Sequence, residues 1–204
     1  MNHKLCCCLY FLFFSGASLF SQHLTITPSL SFGVKGSSAN LGAEISGLIY
    51  FDTSNFAFNS GYRLQHFGNA PSTEEFKDLS STSSIIFIHG IYFLSMMKVR
   101  PYVGSGLSYY LSLDVSDNGN PELINNKKPE NFDFKNQFGF DFLIGMHTYL
   151  DHIVSLKIEI RYSLFQTKLT AELRNLYKNE PNEIYKSETD FNSLHFMIGL
   201  NINF

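Results

Sequence analysis

The chain has 204 residues, with 15 Lys and Arg against 18 Asp and Glu and a formal charge of −3. That length suits one domain and leaves no room for a second core of ordinary size. A mildly acidic chain without a basic stripe also excludes nucleic acid as a natural partner. All 3 cysteines, Cys6, Cys7 and Cys8, fall in an N-terminal leader. The rest of the chain therefore has no disulfide framework, no thiolate metal site and no cysteine nucleophile.

Residues 1–21 read as a signal peptide. His3 and Lys4 form a short polar start, Leu5 to Phe14 is apolar, and small residues follow at Ser15, Gly16, Ala17, Ser18 and Ser21. The apolar run is too short to span a bilayer as a helix, and cleavage is expected between Ala17 and Gln22. The cysteines lack the small-residue run that lipoprotein processing requires, so lipidation is not expected.

Beyond the leader no useful helical period appears, and alternation recurs to the C-terminus. Strands are predicted near Leu24–Lys35, Asn40–Phe51, Phe56–Phe67, Ser81–Leu94, Val99–Leu113, Phe134–Leu150, Ile153–Leu169 and Phe191–Phe204. Most reach the roughly 9–11 residues that a tilted strand needs to cross a bilayer. The connections alternate in length. Asp52–Asn55, Ser95–Lys98 and Leu150–His152 are tight, whereas Gly68–Ser80, Asp114–Asp133 and Thr170–Asp190 are long and polar. Gly36–Ala39 is a short loop on the long-loop side. Such sorting suits a membrane barrel with short inner turns and longer outer loops.

Each strand carries an apolar and a polar face. In the first, Ile26, Pro28, Leu30, Phe32 and Val34 oppose Thr25, Thr27, Ser29 and Ser31. In the sixth, Phe138, Phe140, Phe142, Ile144 and Met146 oppose Gln137, Gly139, Asp141, Gly145 and His147. In the seventh, Val154, Leu156, Ile158, Ile160, Tyr162 and Leu164 oppose Ser155, Lys157, Glu159, Arg161 and Ser163. The fourth, SIIFIHGIYFL, is apolar on both faces and alternation does not orient it. Alternation alone also fits a soluble lipocalin-like barrel turned inside out. Strand length and loop sorting favour the apolar face outward. Phe51, Phe56, Phe58, Tyr92, Phe93, Tyr149 and Phe204 gather at the tight-turn ends, where an interfacial girdle would lie.

The last strand, FMIGLNINF, ends on Phe204 and resembles the C-terminal strand of bacterial outer-membrane barrels. That resemblance implies recognition by the barrel-insertion machinery. VRPYVGSGLSYYLSL (Val99–Leu113) and FGFDFLIGMHTYLDHIVSLKIEIRYSLF (Phe138–Phe165) resemble the PorT-like outer-membrane β-barrel domain proteins, small barrels of OmpA/OmpX shape. The expectation is therefore all-β: an eight-stranded antiparallel up-and-down barrel over residues 22–204, with apolar face out, a polar lumen, and a place in the cell outer membrane among its lipids.

On these faces the lumen holds Glu44, Arg63, Asp141, Lys157, Glu159 and Arg161, three acids and three bases. An eight-stranded lumen is just wide enough for side chains to fill. A balanced set reads as a plug of ion pairs rather than an ion or proton path, since unpaired charges there are costly. Symmetric hairpins place Glu44 opposite Arg63 and Ile45 opposite Tyr62. With a three-residue turn at Leu150–His152 they also place Asp141 opposite Arg161.

No catalytic, cofactor or metal residues are expected. Gly104-Ser105-Gly106 has no third glycine at dinucleotide spacing and no helix after it. These glycines more simply make room for Tyr102 and Tyr110. His23, His66, His89, His147, His152 and His195 show no pair at a one-face spacing of two. YRLQHFGNA (Tyr62–Ala70) is similar to the His-x-Ser-Asn stretch of PagL-type lipid A deacylases. The resemblance would make His66 the base and Asn69 the asparagine, but Gly68 stands where the nucleophile belongs, so no attacking group remains. The leading reading is a non-enzymatic, closed barrel displaying three long loops for envelope or protein partners. A lipid A deacylase and an OmpW-like conduit for small apolar molecules are its alternatives.

Overall fold

A computed structural model describes residues 24–35, 38–51, 55–68, 79–95, 97–117, 127–134, 137–175 and 183–204. The expected signal peptide, most of Gly68–Ser80, and Asn69 of the deacylase-like stretch lie outside the described residues.

Ten strands are described: β1 (Leu24–Lys35), β2 (Ser38–Tyr50), β3 (Phe56–Phe67), β4 (Leu79–Phe93), β5 (Val99–Asp117), β6 (Lys127–Phe134), β7 (Phe138–Tyr149), β8 (Val154–Asn175), β9 (Glu183–Asp190) and β10 (Ser193–Asn203). Eight of them, β1–β5 with β7, β8 and β10, pair antiparallel in sequence. The ring closes where β10 meets β1 on one side and β8 on the other. Closure gives each of the eight staves a partner on both sides, as a strand protein in lipid requires. The alternating sequence is realised inside out: Phe32, Ile45, Phe142, Ile160 and Ile198 lie exposed on the wall, and Ser31, Glu44, Asp141, Glu159 and Met197 are buried in the lumen.

Predicted and observed ends of β1 and β3 coincide, and Glu44 opposes Arg63, as Ile45 opposes Tyr62. The second hairpin differs. Asp141 pairs with Ser163, and Arg161 lies opposite Leu143. The amides of Leu150 and Asp151 both bond the Val154 carbonyl, at 3.0 Å each. That turn is wider than the three residues expected, and it slips the ladder by two. A slip of two keeps every side chain on its face and changes only its partner.

β4 takes its orientation from tertiary packing. Ile85, Phe87, His89, Ile91 and Phe93 point inward, and Ile86, Ile88 and Tyr92 outward. Phe93 is therefore fully buried in the lumen and is not part of the girdle. Phe56, Phe58, Tyr92 and Phe204 do lie exposed, and Phe51, Phe56 and Phe58 form a ring cluster at the β2–β3 turn.

Two stretches expected as exterior loops are largely strand. β5 runs on to Asp117 and β8 to Asn175, and the upper part of β8 pairs with β6 on one side and β9 on the other. β6 and β9 thus continue the staves of β7 and β10 beyond the barrel rim. β9 keeps the register of β10 along β8, with Phe191 N donating to Phe165 O at 2.7 Å across the join. The β5 side behaves differently. The β5–β7 ladder ends at Tyr109 opposite Phe138, Tyr110 N bonds Gln137 O at 2.7 Å, and among the described residues β5 pairs with no residue of β6 above that. A bulge in β5 lies at the same height, where Ile85 pairs with Tyr110 and Ser84 with Ser112.

Candidate functional site

Three layers of side chains fill the lumen. The innermost, toward the tight turns, is apolar: Leu48, Tyr50, Ala57, Ile91, Phe93 and Tyr102. Phe93 lies 5.4 Å from the Tyr50 ring and 5.6 Å from Tyr102. His147 edges Tyr102 at 5.0 Å, and its Nδ1 is 3.2 Å from the Tyr50 hydroxyl.

The middle layer holds the charges. Arg161 donates to Glu44 at 2.8 Å through Nη1 and to Glu159 at 2.6 Å through Nη2. Lys157 Nζ lies 3.2 Å from Glu159 and 3.7 Å from Glu44. Tyr102 adds its hydroxyl to Glu159 at 2.7 Å. Four of the six predicted charges therefore close a square of two acids and two bases, all buried. Its bonds satisfy most of the donors and acceptors, the condition under which buried charge is tolerable.

The other two charges stand apart from that square. Asp141 takes hydrogen bonds from His89 Nε2, at 2.9 Å, and from Ser108 Oγ. Arg63 Nη2 is 3.8 Å from Asp141, and its Nε and Nη1 have no hydrogen-bond partner. Glu44, which opposes Arg63 on the ladder, turns to Arg161 instead. Phe87 lies under both guanidiniums, 5.1 Å from Arg161 and 6.0 Å from Arg63.

The outermost layer is an aromatic floor of Phe67, Ile85, Tyr110, Phe165 and Phe191. Tyr110 stacks on Phe165 at 3.8 Å, and Phe191 lies 5.6 Å from Phe67 and 5.5 Å from Phe165. Tyr110 sits where the β5–β7 ladder stops, and Ile85 lies lower than Phe67, opposite Arg63.

Room for the tyrosine rings comes from β7 and not from Gly104-Ser105-Gly106. A Cβ on Gly145 would lie 2.5 Å from the Tyr102 oxygen, and one on Gly139 3.1 Å from the Tyr110 ring. Gly106 instead admits His89. The histidines scatter. His195 bonds Ser193 at 2.6 Å and Gln65 at 3.3 Å inside the lumen, His152 is exposed, and His23 lies outside the described residues. His66 points outward and bonds Thr82 at 3.1 Å, above a matching Tyr62–Ser84 bond of 2.9 Å. These are ordinary cross-strand polar pairs at the rim. Among the described residues no group of three or more His, Cys, Asp or Glu could hold a metal ion.

Sequence reasoning missed Tyr102, Ser108 and Phe87 as partners of the charges. Phe87 was visible on the doubly apolar fourth strand, yet nothing local placed it inward.

A closed, outward-apolar ring of eight strands with a plugged lumen defines an integral outer-membrane β-barrel. The model of the OmpW family matches residues 61–204, from within β3 to the C-terminus. The chain belongs to the OmpW family and resides in the outer membrane. The match carries nothing specific to the PorT-like proteins. No curated protein matches. Among solved structures, the outer membrane protein OprG of Pseudomonas aeruginosa is similar over 91% of this chain and 96% of its own, with TM-score 0.60 and 12% identity. A major outer membrane protein of Thermus thermophilus is similar over 90% of this chain and 100% of its own, with TM-score 0.58 and 11% identity. Neisserial surface protein A is similar over 90% and 97%, with TM-score 0.54 and 17% identity. At these identities the likeness concerns the fold.

Proposed function

We propose that the protein passes small apolar molecules from outside into the outer leaflet, without chemistry and without opening its lumen to the periplasm. The carrying observation is that the stretch where β5 and β6 share no ladder begins level with the aromatic floor, at Tyr110. The floor's rings are themselves buried, and a molecule lodged on them would lie beside that stretch. Below lies the charged square, whose desolvated ions reject an apolar solute. Membership of the OmpW family supports this reading over the deacylase, for which the stretch around His66 supplies no nucleophile. Contact with envelope partners, expected of the long loops, falls to the exterior sheet of β6, β8 and β9. Insertion through the strand ending at Phe204 completes the reading.

The test pairs two measurements on the reconstituted protein. Uptake of radiolabelled octane into proteoliposomes should quicken relative to empty vesicles, while planar-bilayer conductance stays at background. Stepwise conductance would sink the closed lumen. Unchanged uptake would sink the conduit and leave an anchored scaffold for the exterior sheet.

A further inference from the structure

Between the floor and the charged square lies a polar tier that the conduit reading leaves unused. Arg63 and Gln65 on β3, Ser31 on β1 and Ser83 on β4 are each at most 1% exposed. Arg63 Nε and Nη1, Gln65 Oε1, Ser31 Oγ and Ser83 Oγ all lack hydrogen-bond partners. Two of the orphan oxygens share one neighbour: a Cβ on Gly42 would lie 2.5 Å from Ser31 Oγ and 3.5 Å from Gln65 Oε1, so both sit close over that glycine. Gln65 and Ser83 are directly opposed on the β3–β4 ladder. Buried polar groups are normally paired, and a guanidinium left with open donors is the costliest kind of exception.

We infer that Arg63 is a head-group site for a carboxylate carried by a small apolar molecule, whose tail lies on the aromatic floor. This rests on the conduit reading and names its substrate class. Three features fit the site to that class. Arg63 opposes Ile85, a floor residue. The same inward file runs Arg63, Gln65, Phe67, so Phe67 is about 13 Å along the strand, the reach of a medium-length acyl chain. The nearest carboxylate, Asp141, is beyond hydrogen-bond distance at 3.8 Å and is already held by His89 and Ser108. Guanidinium and carboxylate match geometrically as well as in charge. Water alone would satisfy the hydroxyls, but it gives no reason for the floor to lie directly above the cation.

The experiment titrates full-length mature protein in nanodiscs with octanoate, 1-octanol and acetate, read by calorimetry and by 13C shifts of carboxyl-labelled acids. Octanoate should bind about tenfold tighter than octanol, and acetate weakly. Arg63→Met should erase the difference between octanoate and octanol. Asp141→Asn should tighten octanoate several-fold by removing the competing anion. Equal binding of octanoate and octanol would overturn the head-group site and leave the floor standing. Acetate binding as tightly as octanoate would overturn the tailed class in favour of a free anion. Binding of neither eight-carbon probe would bring down site and conduit together. If Arg63→Met fails to give the heat-modifiable folded band, Asp141→Asn decides, and an unchanged or weakened octanoate affinity there refutes the proposal.

Discussion

The two halves of the lumen follow different rules. Toward the tight turns, Glu44, Lys157, Glu159 and Arg161 bond one another and Tyr102, beside a compact aromatic layer. Toward the exterior, Arg63 and Asp141 face each other at 3.8 Å among unpartnered hydroxyls, beneath a floor beside which β5 and β6 share no ladder. The charges of one half bond one another, whereas Arg63 in the other leaves two donors open; uncharged groups lack partners in both halves, Ser46, Asn59 and His147 among them toward the tight turns. An open guanidinium in a dry interior is where a ligand has most to offer.

The largest expected break in this contrast comes from Arg161→Met. It leaves Glu44 and Glu159 buried without their main counter-charge, and should cost about 3–5 kcal/mol. Urea titration of the heat-modifiable band in lipid should show the loss. A change under about 1 kcal/mol would mean the square is not what holds the inner half. Next comes Gly145→Val, which drives a side chain into the Tyr102 hydroxyl that binds Glu159. Overpacking there should cost about 1–3 kcal/mol. Neither Tyr102→Phe nor Tyr102→Ala in the same background should restore stability, since the added carbon also lies 2.6 Å from the Ile158 carbonyl oxygen.

A smaller effect sharpens the outer half. Tyr109 donates to Gln137 and packs its ring, tilted, against Phe138 at 5.0 Å where the β5–β7 ladder stops. Tyr109→Phe keeps the ring and removes the bond, for about 0.5–1.5 kcal/mol. If the stretch without a ladder is the exit, loosening its lower end should raise octane uptake while conductance stays at background. Unchanged uptake would place the exit elsewhere.

How much of this was legible in the sequence depends on which interaction fixed each feature. Faces were legible because period two survives any slip by two; the Leu150–Val154 turn therefore hid Arg161's opposite residue but not its place in the lumen. Glu44 opposite Arg63 was legible because the hairpin at residues 52–55 is symmetric. Their bonding was not, because Glu44 is reached by Arg161 across 117 positions of chain. β6 and β9 were illegible for another reason. KKPENFDF and EIYKSETD are polar and, in β6, contain Pro129, so locally they read as loop; only the overlong β8 gives them a ladder. β4 needed the floor and the inner layer before its inward face could be chosen.

The finest test of the contrast is Arg63→Met set beside Arg161→Met. Both remove a fully buried guanidinium from neighbouring depths of the same lumen, and both leave a similar apolar volume over Phe87. Arg161 gives up hydrogen bonds to two carboxylates. Arg63 gives up a 3.8 Å approach and two donors that had no partner. Asp141 loses its 3.8 Å ion-pair partner in the variant but keeps its bonds from His89 and Ser108, so the carboxylate stays hydrogen-bonded. The desolvation cost of Arg63 disappears with it. Arg63→Met should therefore shift stability by less than about 1 kcal/mol, in either direction. A loss as large as that of Arg161→Met would show that Arg63 belongs to the structural plug, and the division of the lumen charges into a bonded square and an open guanidinium would fall.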